Sequence, residues 1–285
     1  ELSDRAILET FMQSQKNLCC EYSFPNLFVW GSVYDTKWTL DNEKLYILYG
    51  SENCLLMPIP EPTLDELLKI PEKFALDRRT LSICHVPESY IKTNPDIHNY
   101  FEVIDDDDVI DYVHLIDRLV ALKGTKLAKK KNLVSQFIRS YPEYQCHQID
   151  SQNKMDCLRF AENWLSKQNN AHIGLEHEYI AVQNAFRFFD ELSLEGIAIF
   201  ANSTLCAFSV FSKQNDETYI EHFEKADHLV KGSAQIINLE TARYIKNKAK
   251  YLNREQDIGV DGLRRAKSSY DPDLRVGGKT LKVRI

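Results

Sequence analysis

Residues 251–270 (YLNREQDIGVDGLRRAKSSY) limit the folds open to this chain more than any other stretch. Residues 250–253 carry the pattern of a short buried strand, after which Asn253, Arg254, Glu255 and Asp257 crowd polar and charged groups into five positions. Gly259 and Gly262 follow, and the spacing of Leu263, Ala266 and Tyr270 predicts a helix with Asp257 as its N-cap. A strand ending in charged groups at a helix N-terminus is a common place for an α/β protein to hold a polar ligand. The alternative is an exposed turn with incidental ion pairs. Local pattern leaves both readings open.

The 285 residues are 44% hydrophobic and 27% charged, enough for one large domain or two smaller ones and without a long disordered region. No apolar run approaches the roughly 18 residues that a membrane span needs. The N-terminus lacks the basic-then-apolar layout of a signal peptide, so a cytoplasmic protein is expected. A net charge of −7 argues against broad non-specific nucleic-acid binding, and no DNA partner is expected. Seven cysteines, scattered, odd in number and without a Cys-x-x-Cys pair, predict reduced and mostly buried thiols rather than a disulfide framework. His172 and His177 are five apart, not the four that would stack two ligands on one helix face, so no metal site is expected.

Along the chain, residues 1–16 have the period of an amphipathic helix with Ile7, Leu8, Phe11 and Met12 on one face. Residues 36–49 predict a hairpin turning at Asp41, Asn42 and Glu43, and residues 54–59 a further strand. Thr63 caps a helix through residue 69, residues 80–86 resume as strand, and residues 87–108 read as loops. Strand is expected at 110–115, helix at 126–140, strand at 144–149 and helices at 153–167 and 178–191, the last burying Ile180, Ala181, Phe186 and Phe189. Three strands follow at 195–201, 205–211 and 218–225. A helix then carries Ala234, Ile237, Thr241 and Tyr244, and a last strand spans 274–285.

Strand alternation over residues 218–227 puts Ile220, His222 and Glu224 on one face, and Tyr219, Glu221, Phe223 and Lys225 on the other. Polar groups on a central strand are costly to bury unless paired. His222 and Glu224 therefore read either as a base-like pair that takes a proton from an attacking amine or hydroxyl, or as a structural hydrogen bond. Lys225 and Asp227 close the motif. Gly232, ahead of the next helix, allows close backbone approach to a phosphate or carboxylate. Lys126, Lys129 and Lys130 share one helix face in a stretch, residues 123–139, that holds six basic residues and no acid. Such a strip is either a solvated face or a holder of tRNA phosphates or anionic lipid headgroups.

Four stretches resemble, in chain order, the family related to the catalytic domain of phosphatidylglycerol lysyltransferase (lysyl-phosphatidylglycerol synthase). They are residues 22–30 (YSFPNLFVW), 122–132 (LKGTKLAKKKN), 219–227 (YIEHFEKAD) and 251–270. The resemblance implies an α/β fold of two tandem acyl-CoA N-acyltransferase (GNAT) halves, although no sequence repeat relates them. The expected domains are 1–120, a degenerate copy, and 121–285, the copy with the site. Within residues 231–234 the GNAT pyrophosphate loop is only half matched: Gly232 and Ala234 fit, but Leu229 stands where that loop has Gln or Arg.

The implied function is transfer of an activated acyl or aminoacyl group onto an amine or hydroxyl of a small-molecule or lipid acceptor. Glu224 is then the base, His222 orients or replaces it, and Tyr270 returns a proton to the leaving group. Arg254 and Lys267 would hold an anionic part of donor or acceptor, with Asn253, Glu255 and Asp257 beside them. The residues fix no cofactor; an acyl-CoA or an aminoacyl-tRNA is the donor the resemblance admits. Two other classes stay open: a non-catalytic binder of a small anionic metabolite, and an RNA-associated protein using the basic strip.

Overall fold

A computed structural model describes residues 1–13, 18–167 and 173–284. It divides into two units, Glu1–Ile110 with Val276–Ile285, and Asp111–Arg275. The divide precedes the expected break at 120 because residues 111–121 join the second unit's sheet and core, while the C-terminal strand returns to the first.

In the first unit, α1 (Arg5–Gln13) and α2 (Phe24–Trp30) precede the hairpin of β1 (Thr36–Asp41) and β2 (Lys44–Tyr49). Leu8 and Met12 of α1 are buried, but Ile7 is exposed, narrowing the apolar face that periodicity suggested. Asp41 pairs with Lys44, leaving Asn42 and Glu43 as a two-residue turn with φ of 48° and 59°. This left-handed pair matches the strand twist and favours glycine at the second position. Replacing Glu43 by glycine should therefore stabilise the hairpin by about 1 kcal/mol, raising the denaturation midpoint; a lower midpoint would contradict this account of the turn.

The chain continues through β3 (Cys54–Leu56), α3 (Leu64–Lys73), β4 (Ser82–Val86), α4 (Glu88–Thr93) and β5 (Phe101–Asp105). Thr63 and Glu66 form a reciprocal capping box at the start of α3. The sheet order is β1-β2-β3-β4, then the C-terminal strand Lys279–Val283, then β5. Residues 87–108, expected as loops, thus contain α4 and β5. The latter pairs with a strand at the far end of the chain, so no nearby hairpin signal marks it. Leu67, Ile70, Tyr90 and Ile97 pack on Leu55, Ile83, Phe101 and Leu281 to form this unit's core.

Parallel pairing of β3 with β4 brings Cys54 and Cys84 into a disulfide, with Cα atoms 6.3 Å apart. The expectation of reduced thiols throughout is corrected at this pair, since sequence spacing does not say which strands become neighbours. Cys157 and Cys206 are free and buried, and Cys146 is free and exposed, while Cys19 and Cys20 are buried. Burial pushes the Cys157 and Cys206 thiols up to about 12, which makes them inert as nucleophiles near neutral pH.

The second unit contains β6 (Asp111–Leu115), α5 (Ile116–Ala121), α6 (Ala128–Ser140), β7 (Gln145–Gln148), α7 (Lys154–Ser166) and α8 (Ile173–Arg187). Next come β8 (Glu195–Ala201), β9 (Thr204–Lys213), β10 (Thr218–Ala226), α9 (Ser233–Ile245), β11 (Tyr251–Asn253), α10 (Asp261–Ser268) and β12 (Leu274–Val276). Their sheet runs β12-β6-β11-β10-β9-β8-β7. The last strand expected at 274–285 is thus two strands in two sheets. Ile116, Leu119, Val134, Phe137, Ile236 and Ile237 from α5, α6 and α9 cover one face of the sheet. Phe160 and Phe186 of α7 and α8 pack on Phe208 of β9 at the other. Ile180, expected in the core, is exposed; α8 buries Ala181, Val182, Ala185 and Phe186 instead. Among the described residues, no helix is long and apolar enough to cross a membrane.

One pairing detail positions the site. β10 pairs with β9 from Tyr219 to Ala226, but its parallel pairing with β11 covers only Thr218–Ile220. Beyond Ile220 the ladder with β11 ends, and the polar residues of β10 follow.

Candidate active site

Alternation along β10 is broken where it matters. The register with β9 shifts between Glu221 and Phe223, so His222 is the extra residue of a β-bulge. The bulge resets the phase, and Glu221 and Glu224, three apart, meet the same guanidinium. Arg254, the first residue after β11, donates from Nε to Glu221 Oε2 at 2.7 Å and from Nη2 to Glu224 Oε2 at 2.9 Å. Ser209 Oγ donates to Glu221 Oε1 at 2.8 Å, and Asn238 Nδ2 of α9 approaches Glu224 Oε2 at 3.3 Å. Tyr270 lies under the guanidinium, 5.1 Å from its ring centre, and Lys130 Nζ sits 4.4 Å from the same ring.

Charge and burial compete in this cluster. Burial raises the Glu224 carboxyl, and although Arg254 pulls it back and Glu221 pushes it further, it stands at about 7. Burial thus lifts the Glu224 carboxyl well above the ordinary carboxylate range, toward the neutral range that suits proton transfer. Burial opposes the charge on Arg254, but Glu224 and Glu221 outweigh it and hold the guanidinium firmly protonated. The Tyr270 hydroxyl is raised by burial and by the two glutamates against the pull of Arg254. His114 of β6 stacks edge-on against Tyr270; burial, then Arg254 and Arg118, lower it to about 3, so its ring is neutral. Tyr270 Oη, His114 Nε2 and Asn238 Oδ1 are buried polar atoms without a well-formed hydrogen bond. Unfilled polar atoms of this kind are rare in folded cores and mark places where a ligand or water completes the bonding.

His222 does not share this cluster. Its Nε2 lies 2.8 Å from Ser212 Oγ and its Nδ1 2.9 Å from Glu255 Oε1. The expected orientation of Glu224 by His222 is therefore corrected: the bulge sends the imidazole elsewhere. Asn253 supports this second group, donating to Asp111 Oδ2 at 2.6 Å and accepting from the Glu255 amide at 2.7 Å. Asp257, expected as a helix cap, is fully buried and receives Tyr112 Oη at 2.5 Å, the Gly259 amide at 3.0 Å and two bonds from Arg264. Val260 holds the cap position of α10. That helix buries none of its residues: Leu263 is exposed, and it docks through Arg264 on Asp257 and Lys267 on the Gln256 carbonyl. Arg254 faces Glu221 and Glu224, and Lys267 faces the Gln256 carbonyl.

The remaining expected residues lie apart. Lys225 points to the α7–α8 face, 2.6 Å from Glu178 Oε2 and 4.1 Å above the Trp164 ring. Asp227 folds over its own loop, accepting the Leu229 amide at 2.9 Å on its carboxylate and the Val230 amide and Ser233 Oγ on its carbonyl. It also lines a cavity of about 530 Å³ with Phe160, Trp164 and Phe200, which Glu224 does not border. Gly232 has φ 88°, and a Cβ there would lie 2.6 Å from the Leu133 carbonyl and 2.9 Å from Phe137 Cβ of α6. The glycine thus serves helix packing. Gly232→Ala should destabilise by about 1–3 kcal/mol, read by chemical denaturation; a neutral effect would show that α6 can withdraw.

Lys126 bonds Asp271 at 2.7 Å and Lys130 covers Tyr270, while Lys129 is exposed; the strip therefore adjoins the cluster through Lys130. His172 lies outside the described residues. Sequence reading missed Glu221, Asn238, His114 and Asp111. Of these, Asn238 carried a signal, a polar residue four positions after Ala234 on a buried helix face.

The second unit is thus a mixed α/β unit with a buried ionic cluster where the pairing of β10 with β11 ends. Residues 15–276 match the family described as phosphatidylglycerol lysyltransferase, C-terminal, and the chain belongs to that family. It is similar to a conserved protein of unknown function from Bacteroides thetaiotaomicron VPI-5482, at 27% identity and TM-score 0.90, covering 100% of this chain and 98% of that one. It also matches L-PGS from Bacillus licheniformis, at 11% identity and TM-score 0.66 over 98% and 91% of the two chains. FemX matches at 8% identity and TM-score 0.63, over 98% and 96%. No functionally curated protein matches the sequence.

Proposed function

We propose that this chain transfers an aminoacyl group from an activated ester onto an amine or hydroxyl acceptor, with Glu224 taking the proton from the attacking atom. The observation that carries the reading is Glu224, held by Arg254 and Asn238 just past the end of the β10–β11 ladder, with its carboxyl raised to about 7 by burial. The attacking nitrogen or oxygen forms the new bond to the acyl carbon as its proton passes to Glu224. The ester carbon–oxygen bond then breaks, and Tyr270 protonates the leaving oxygen. Arg254 fixes the carboxylate that does this work, and His114 stays neutral beside the reacting groups.

An aminoacyl ester suits the residues better than an acyl-CoA. A pyrophosphate-binding loop offers free amides, but here the Asp227 carboxylate and carbonyl already hold the Leu229 and Val230 amides. The family description supports an aminoacyl group as the cargo and a lipid hydroxyl as acceptor. Lys129 and Lys131, exposed beside Lys130, would meet the donor's phosphates. The metabolite-binding reading is less favoured, because the cation at the centre of the cluster is already shared by two carboxylates.

The test follows label from tRNA charged with a radiolabelled amino-acid mixture, with and without phosphatidylglycerol vesicles or polyamines. Label entering a lipid or small-molecule product supports transfer. Loss of label no faster than in protein-free buffer, across all charged tRNAs, would reject it.

A further inference from the structure

The first unit gathers a second set of reactive side chains. Cys19 and Glu21 flank Cys20 at a short 3-10 turn, and His85 lies on β4 of the same unit. Cys19, Glu21 and His85 are 3%, 7% and 7% exposed, so three polarisable or charged groups share one buried spot. Cys19 Sγ lies 2.7 Å from Glu21 Oε2 and 3.2 Å from His85 Nδ1, and His85 Nε2 lies 3.4 Å from Glu21 Oε1. One ligand atom from each lies within 4.8 Å of the others.

We propose that Cys19, Glu21 and His85 bind a zinc-type divalent ion that ties the 19–22 turn to β4. A thiolate, an imidazole and a carboxylate form a donor set for a borderline ion, and the sulfur disfavours magnesium or calcium. Tetrahedral zinc with bonds of about 2.0–2.3 Å holds such donors roughly 3.3–3.7 Å apart; Sγ and Nδ1 already stand 3.2 Å apart, and Sγ and Oε2 would open from 2.7 Å. The set is not the relay of a cysteine nucleophile. In a relay the carboxylate meets only the far ring nitrogen, whereas here Glu21 Oε2 also meets the sulfur, so all three groups converge within 4.8 Å. Burial of the thiol leaves no room for a substrate, but suits an ion held for structure.

The backbone is built to hold this arrangement. His85 adopts φ 57°, rare for a non-glycine residue, and Gly278 packs so closely that a Cβ would meet the His85 carbonyl carbon at 2.3 Å. Buried Cys20, with Sγ 3.3 Å from Glu21 Oε2, stands at the edge of the set as a fourth donor or as a neighbour to a bound water.

The test uses the full chain with its Cys54–Cys84 disulfide kept, treated with a chelator under oxygen-free conditions and titrated with Co²⁺. A thiolate-to-cobalt charge-transfer band with tetrahedral d–d bands is expected, saturating at about one ion per chain and displaced by Zn²⁺. The band should vanish in Cys19→Ser and His85→Gln and persist in Cys146→Ser. Zn²⁺ should also raise the wild-type melting temperature, a readout that holds even where a variant fails to fold. Absence of both the band and the thermal shift in folded wild type overturns the proposal. A band that survives both substitutions overturns it too, as does rapid Cys19 alkylation unaffected by Zn²⁺.

Discussion

Replacing Glu224 by glutamine should lower group transfer by about 10²–10⁴-fold, the usual worth of a general base, while leaving the fold intact. Glutamine keeps a carbonyl oxygen for Arg254 Nη2 but cannot accept the proton. The pH profile makes the test specific. A base works deprotonated, and burial has moved this carboxyl from 4.5 to about 7, so wild-type activity should rise through pH 7. An ordinary carboxylate would give a profile already flat by pH 6. Stability should move oppositely. Because the folded value lies above the unfolded one, the contribution of Glu224 is fully present below about 4.5 and lost as pH rises through about 7. Glu224→Gln should therefore gain on wild type in denaturation midpoint between pH 5 and 8. Equal activity of the two proteins, or a profile unchanged by the substitution, would remove Glu224 from the chemistry.

The fold was legible where periodicity or local chemistry announces itself. The hairpin at Asn42 and Glu43, the capped start of α3 and the β8–β9 hairpin all stand where local patterns put them. Legibility ended where a partner is distant in sequence. β5 and the split C-terminal strands take their identity from pairings that no local window contains. At the site, the segment after β11 was found because charge crowds there, and Arg254 is indeed its centre. The contacts were misjudged for one reason: strict alternation was applied across a bulge. One extra residue at position 222 moved His222 away from Glu224 and brought Glu221 in, and nothing in the local sequence marks that slip. Asp257 misled differently. Its residue type suits a helix cap, but burial against Tyr112 and Arg264 made it the anchor of a helix that buries none of its own residues.

Arg254→Met should be the most destabilising single change in the second unit, by about 3–5 kcal/mol, as when one partner of a buried ion pair is removed. The side chains of Arg254, Glu221 and Glu224 are 8%, 3% and 20% exposed, so little water reaches the charges left behind. Methionine fills much of the volume and keeps contact with Tyr270, which isolates the electrostatic loss from a packing loss. The melting temperature should fall by on the order of 10 °C, and part of that loss should return on acidification, which neutralises the orphaned carboxylates. Arg254→Lys should fall between, since an ammonium keeps the charge but cannot fork between Nε and Nη2. The triple change Glu221→Gln, Glu224→Gln, Arg254→Met should recover most of the stability while remaining inactive, because it removes the charges together instead of stranding two. If Arg254→Met melted with the wild type at pH 8, the cluster would be a solvated surface group, and the raised Glu224 carboxyl would lose its physical cause.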